Sequence, residues 1–213
     1  MAARIVAGVD VGEKGFHAVG LTAQGEPLTF FSRDADAVAG WCRYQGASLV
    51  GVDAPCHWRH LGRVRAAERR LRAEGIRCFV TPSRGAATRK PFYRWMLAGE
   101  KLYRALRRRG YSLLADPARP LYGNLCFETF PHAVACALAG NILRARNKAS
   151  DRPYVLATEG ITTVVLTNLD FLDAALCALA AQHLGNGSAR AFGDAEGGFI
   201  VVPARAWRGD GVS

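Results

Sequence analysis

An α/β fold is predicted by three features of the sequence. Residues 5–9 form a short apolar, β-branched run that ends on Asp10 and Gly12. Residues 16–21 and 27–31 follow at once, with Gly25-Glu26 between them, so the opening reads as three strands joined by short turns. Residues 48–52 repeat the opening pattern and end on Asp53. One helical segment separates the two copies, and strand, helix, strand is the pattern of a parallel crossover. Near the end, residues 168–181 form a long amphipathic helix, apolar or small beyond its first turn, which must pack deeply against a sheet.

Taken in order, Asp34 is a candidate N-cap for a helix over 35–44, with Val38, Trp41 and Cys42 on one side. The crossover then places Val52 beside the first strand and brings Asp53 to the same edge as Asp10. Pro55 stops the second strand. A helix is expected over 63–72, with Glu68 and Arg72 spaced to pair, and Gly75 ends it. Residues 81–91 are rich in Gly, Pro and small side chains and read as a loop; residues 93–109 read as a second helix. Its Trp95, Met96, Leu102, Tyr103 and Leu106 recur at helical spacing, which favours core packing over base stacking. Residues 125–130 are a further strand, with Glu128 near its end, followed by a helix over 133–143. His132 heads that helix, where a capping or packing role competes with proton shuttling. Residues 144–153 read as a basic, polar link, and 197–203 as a closing strand.

Composition narrows the function. Half of the 213 residues are hydrophobic, enough for a packed core, and no apolar run approaches the ~18 residues of a membrane span. The start of the sequence has no secretory apolar region. Six cysteines, none in a C-x-x-C pair, read as reduced cytosolic thiols, so a cytoplasmic protein is expected. The net charge of +10 is uneven: residues 57–109 hold 16 Lys/Arg against three acids, and the remainder 12 against 15. Such a patch suits a polyanion, with nucleic acid the first candidate. The chain is read as one domain over 1–213 with a basic helical insertion at about 57–122. Arg65, Arg69, Arg84, Arg89 and Lys90 are its candidate phosphate contacts.

Asp10, Asp53, Glu128, Asp170 and Asp173 can converge only with a counter-charge. Two like charges at about 4 Å repel by roughly 4 kcal/mol at an effective dielectric near 20. Such a cluster holds protons or metal, and all-oxygen ligands suit Mg²⁺ first and Mn²⁺ next. Asp170 and Asp173, at i and i+3, share one face near the helix N-terminus, where the helix dipole also favours acids.

These residues carry a resemblance. Gly8-Val9-Asp10, Gly51-Val52-Asp53-Ala54-Pro55, Arg65 with Glu68-Arg69, Glu128-Thr129-Phe130-Pro131 and Leu169-Asp170-Phe171-Leu172-Asp173-Ala174 follow in the order found in domain-of-unknown-function family 429. The chain resembles this family of predicted nucleases of the ribonuclease H-like superfamily. The resemblance implies a mixed five-stranded sheet, three antiparallel strands followed by parallel ones, flanked by helices. It also implies a metal-dependent phosphodiesterase with Mg²⁺ or Mn²⁺ as cofactor. In that reading Asp10 bridges two metals, Asp53 binds one, and Asp173, helped by Asp170, binds the other. Glu128 either joins the catalytic acids or pairs with an arginine such as Arg65. The last helix also looks like that of junction-cutting resolvases, among which dimers are common, so a homodimer is open.

Two other readings compete. A nucleic-acid binder that keeps the fold without cleaving predicts binding indifferent to Asp10. A sugar-kinase or ATPase relative shares the strand-and-acid opening, but needs phosphate loops richer in glycine than Gly12 and Gly15 provide.

Overall fold

The computed structural model describes residues 5–22, 26–60 and 64–207. The Gly25 turn and the Arg63 start of the first basic helix lie outside these residues. Strands β1 (Val6–Val11), β2 (Phe16–Leu21) and β3 (Pro27–Ser32) form the expected antiparallel meander. Helix α1 (Ala35–Tyr44) starts where predicted, with the Asp34 side chain accepting from the Asp36 N–H. It leads to β4 (Leu49–Asp53), which lies parallel to β1 with Asp10 opposite Asp53. Strand β6 (Asn124–Glu128) lies parallel to β4 on its other side.

This β3-β2-β1-β4-β6 core has the order that the resemblance implies, three antiparallel strands followed by parallel ones. The sheet is wider than the expected five strands. A hairpin of β7 (Ala189–Asp194) and β8 (Gly198–Pro203) extends it past β6, and the short β5 (Tyr111–Leu113) also pairs with β6. One face of the sheet is covered by α5 (Pro131–Ala139), α6 (Lys148–Thr158) and α7 (Leu169–Gly185). The other is covered by α1 and α4 (Arg94–Arg108). Within the basic segment, α2 (Ala66–Ala73) buries Ala67 and Leu71 in the first of these cores. All six cysteines are free, and none of the described helices is long and apolar enough to cross a membrane.

Three local expectations are corrected. Residues 84–89 are not a loop but a short helix, α3 (Arg84–Arg89), started by Ser83, whose side chain accepts from the Ala86 N–H. Residues 148–153 are not a link: α6 runs through Pro153, which sits in its second turn. Glu68 does not pair with Arg72. It is buried against Arg65 at 3.6 Å, while the Arg72 guanidinium donates to the Cys78 carbonyl at 3.0 Å.

Two glycines set how closely α7 sits on the sheet. A Cβ on Gly8 would lie 2.1 Å from the Ala174 carbonyl oxygen, and one on Gly51 would lie 2.5 Å from that of Cys177. Both obstacles are backbone, so neither can rotate away. Gly8→Ala therefore forces α7 off β1, and we expect a loss of about 3 kcal/mol, the upper range for overpacked cores. Urea unfolding measures it. A loss under about 1 kcal/mol would mean that α7 is free to shift.

Candidate acidic active site

Strand periodicity carries the close approach of α7 into chemistry. Side chains two apart share a face, so Asp10 shares the α7 face with Gly8, and Asp53 shares it with Gly51. Their strands lie side by side in register. Because α7 rests directly on both glycines, its first turn is held beside the two strand ends. Asn168 caps that turn, its side chain accepting from the Phe171 N–H at 2.9 Å. Asp170 and Asp173 thereby reach the Asp10 edge. Asp173 is buried and Asp170 is largely exposed.

Sequence reasoning missed two members of the site. His17 lies directly opposite Asp10 across the β1–β2 hairpin. One ligand atom each from Asp10, His17 and Asp170 lie within 4.8 Å of one another, with His17 Nδ1 3.6 Å from Asp170 Oδ2. Phe31 and Phe171 each pack on the imidazole at a centroid distance of 4.8 Å and hold its orientation. The signal was the hairpin itself: a turn bounded by Gly12 and Gly15 pairs position 10 with 17. The second is Arg152 of α6, a buried cation whose Nε donates to Asp173 Oδ1.

The acids are held under strong mutual stress. Burial first, then the charges of Asp173 and Asp170, push Asp10 up to about 8, against the pull of Lys148 and a hydrogen bond with Asp53. Burial, with Asp10, Asp173 and Glu128, holds Asp53 well above the usual carboxylate range. Asp173 is raised by burial, with Arg152 opposing. His17 is lowered by burial, against the charge of Asp170, which favours the neutral ring. Carboxyls whose ionisation is opposed by burial and by each other's charge are what a cation would relieve. Among the described residues the donors brought together are those of Asp10, His17 and Asp170, with Asp53 and Asp173 acting on Asp10 from beside it, so the all-oxygen expectation gains a nitrogen. Such donors could hold a hard divalent ion, with Mn²⁺ better suited to the imidazole than Mg²⁺.

Glu128 and Arg65 lie elsewhere. Val52, not Asp53, is the register partner of Glu128, so Glu128 points to the opposite face of the sheet. There Arg65, 4% exposed, grips it with two bonds of 3.0 and 2.5 Å and also donates to the Gly197 carbonyl at 2.8 Å. The Cys56 N–H donates to the same carboxylate at 2.9 Å. This is a buried ion pair that ties α2 to β6 and the β7–β8 turn, so Arg65 presents no surface for a phosphate. Among the other cations expected to grip phosphates, the Arg69 guanidinium donates to the Val64 carbonyl, and Arg84 pairs with Glu100 at 3.0 Å. Arg89 and Lys90 are exposed at the end of α3.

A groove of mixed charge, with cations in excess, opens beside the acids, on the surface between the β1–β2 turn and α4. It has a volume of about 660 Å³ and begins at Gly12, two residues past Asp10. Lys14, Arg33, Arg94 and Lys101 line it together with Glu13, Asp34 and Asp36, and Arg94 pairs with Glu13 at 3.5 Å.

A family described as "Protein of unknown function (DUF429)" matches residues 8–197. Among solved structures, the chain is similar to T. thermophilus RuvC in complex with Holliday junction substrate. That likeness is 15% identical, covers 86% of this chain and 96% of the other, and has a TM-score of 0.49. It is similar also to the Thermus thermophilus RuvC structure, with the same identity and coverage and a TM-score of 0.39. No curated protein matches the chain.

Proposed function

The chain belongs to the DUF429 family of proteins of unknown function, and we propose that it is a divalent-metal-dependent nuclease hydrolysing phosphodiester bonds of nucleic acid. The observation that carries this reading is the pairing of Asp10 with Asp53 under the acidic first turn of α7. Asp10, Asp53, Asp170 and Asp173 would hold the metal, with His17 as a further ligand. Divalent ions bound by such a set supply an activated water and stabilise the charge on the leaving oxygen.

The chain's own residues do the rest. Asp10, at the centre of the cluster, gives up its proton when a cation enters. Asp53, held above the usual carboxylate range by burial and three neighbouring acids, would do the same. Phe31 and Phe171 keep His17 facing the acids, so its Nδ1 is preset either to bind or to accept a proton. Lys14, Arg94 and Lys101 would track the substrate backbone away from Asp10, with Arg89 and Lys90 reaching further strands of it. In this reading the helical insertion at about 57–122 supplies the grip, since α4 forms one wall of the groove.

Labelled single-stranded, duplex, hybrid and branched substrates, incubated with Mg²⁺, Mn²⁺ or chelator, test the proposal. Cutting should require metal. Asp173→Asn should slow it more than ~100-fold, beyond the ~10–100-fold typical of lost outer-shell partners. One observation favours a second reading, a binder that does not cleave: Arg152 already neutralises Asp173. Binding of all substrates without metal-dependent cutting, and unchanged in Asp173→Asn, would select it.

A further inference from the structure

Beside the acids, on the α4 side of the sheet, lies a pocket of about 190 Å³ with Asp53 among its lining residues. Its walls include the apolar Phe79, Trp95, Met96 and Phe130 together with Glu68, Thr81 and Glu128, and it reaches the strand end that carries Asp53. At its mouth the aromatic surface continues outward. Phe79 is 59% exposed and Phe92 is 58% exposed. Phe92 stands edge-on to Phe79 at a centroid distance of 5.6 Å, and Trp95 lies 6.1 Å from Phe79. Large aromatic rings clustered in solvent lose hydration free energy with nothing gained for the core, which marks such a patch as a contact surface.

The charge around the rings says what would cover them. Between residues 75 and 99 there are five cations (Arg77, Arg84, Arg89, Lys90 and Arg94) and no acid. Arg77, Arg89, Lys90 and Arg94 are all exposed, within three residues of Phe79, Phe92 or Trp95. Flat apolar rings interleaved with cations complement a strand whose bases are unpaired, because each base offers a π-face and each linkage a negative charge. A paired duplex hides its base faces in its own stack and can use only the cations.

From this juxtaposition we propose that Phe79 and Phe92, backed by the half-buried Trp95, form a stacking platform for unpaired bases beside the strand end that carries Asp53. The substrate class is therefore nucleic acid with single-stranded character at the cut. The proposal rests on the nuclease reading for the role of Asp53, but the platform can be tested without cleavage.

The test is fluorescence anisotropy in chelator, with a labelled oligothymidine compared with a duplex of equal length. Phe79→Ala and Phe92→Ala both alter exposed side chains and should leave the fold intact. Each should weaken single-strand binding about 5- to 150-fold, the equivalent of the 1–3 kcal/mol a stacked base contributes, and leave duplex binding within about twofold. Lys90→Gln should instead weaken both and lower the salt dependence. Unchanged single-strand binding in both aromatic variants, or equal loss on the duplex, would overturn the platform. The latter patterns would suit an apolar protein partner on the patch or a purely electrostatic grip. Cleavage in metal that is lost in Asp10→Asn but indifferent to Phe79→Ala would sink the platform and keep the nuclease. Stacking-dependent binding with no cleavage under any metal would do the reverse.

Discussion

Asp10→Asn should lose metal-dependent cleavage by more than ~100-fold and, in chelator, unfold at a higher temperature than the wild type. The two effects have one cause. In the folded chain Asp10 is pushed up to about 8 from 3.8 by burial and by its acidic neighbours. Between those values the native state holds a proton that the unfolded state has released. Stability therefore falls as pH rises from about 4 to about 8, by up to about 1.4 kcal/mol per pH unit for this group. Asparagine has no such proton to lose, so the variant's advantage should be small near pH 5 and largest near pH 8. Asp53 and Asp173 are raised too, so the wild-type curve is a composite; the difference between the two proteins isolates Asp10. Thermal melts across this pH range, with chelator and with Mn²⁺, measure it. An Asp10→Asn protein less stable than wild type at pH 8 without metal would contradict the mutual stress among the acids.

The same residues show what can be read in a sequence. Asp10 and Asp53 each end an apolar strand, and a single crossover between them leaves little freedom of register. Glu128 ends an apolar strand as well, but parity decides its fate. Its partner is Val52, so it faces away from Asp10, and that one-residue offset is fixed by the packing of β6 on β4. His17 lay hidden inside a strand whose other residues are core, its role set by the hairpin register alone. The pairing of Arg152 with Asp173 spans 21 positions and depends on α6, which contains a proline and so did not read as a helix. The structural reason for two glycines is visible only in the fold: Gly8 and Gly51, two residues before each acid, are where α7 touches the sheet. Strands β5 and β7 were not legible for a different reason. The first is three residues long, and the second has half-buried polar residues and an internal glycine instead of a clean apolar alternation.

Arg152→Gln should destabilise the metal-free protein by about 3–5 kcal/mol, the cost of leaving a buried charge without its partner. Arg152 is the cation that bonds Asp173, and its charge also favours the ionised form of Asp53. Without it, Lys148 is the remaining cation acting on Asp10 and Asp173, from the exposed start of α6. A bound divalent ion should then replace the arginine's charge. Saturating Mn²⁺ should raise the variant's melting temperature by more than it raises the wild type's, because in the wild type metal must compete with Arg152 for Asp173. A protein that only binds nucleic acid has no use for the ion, and its Arg152→Gln variant would stay equally unstable with or without Mn²⁺. The arginine and the metal are thus alternative answers to one electrostatic problem, and the size of the metal rescue shows which of them the acids are arranged to hold.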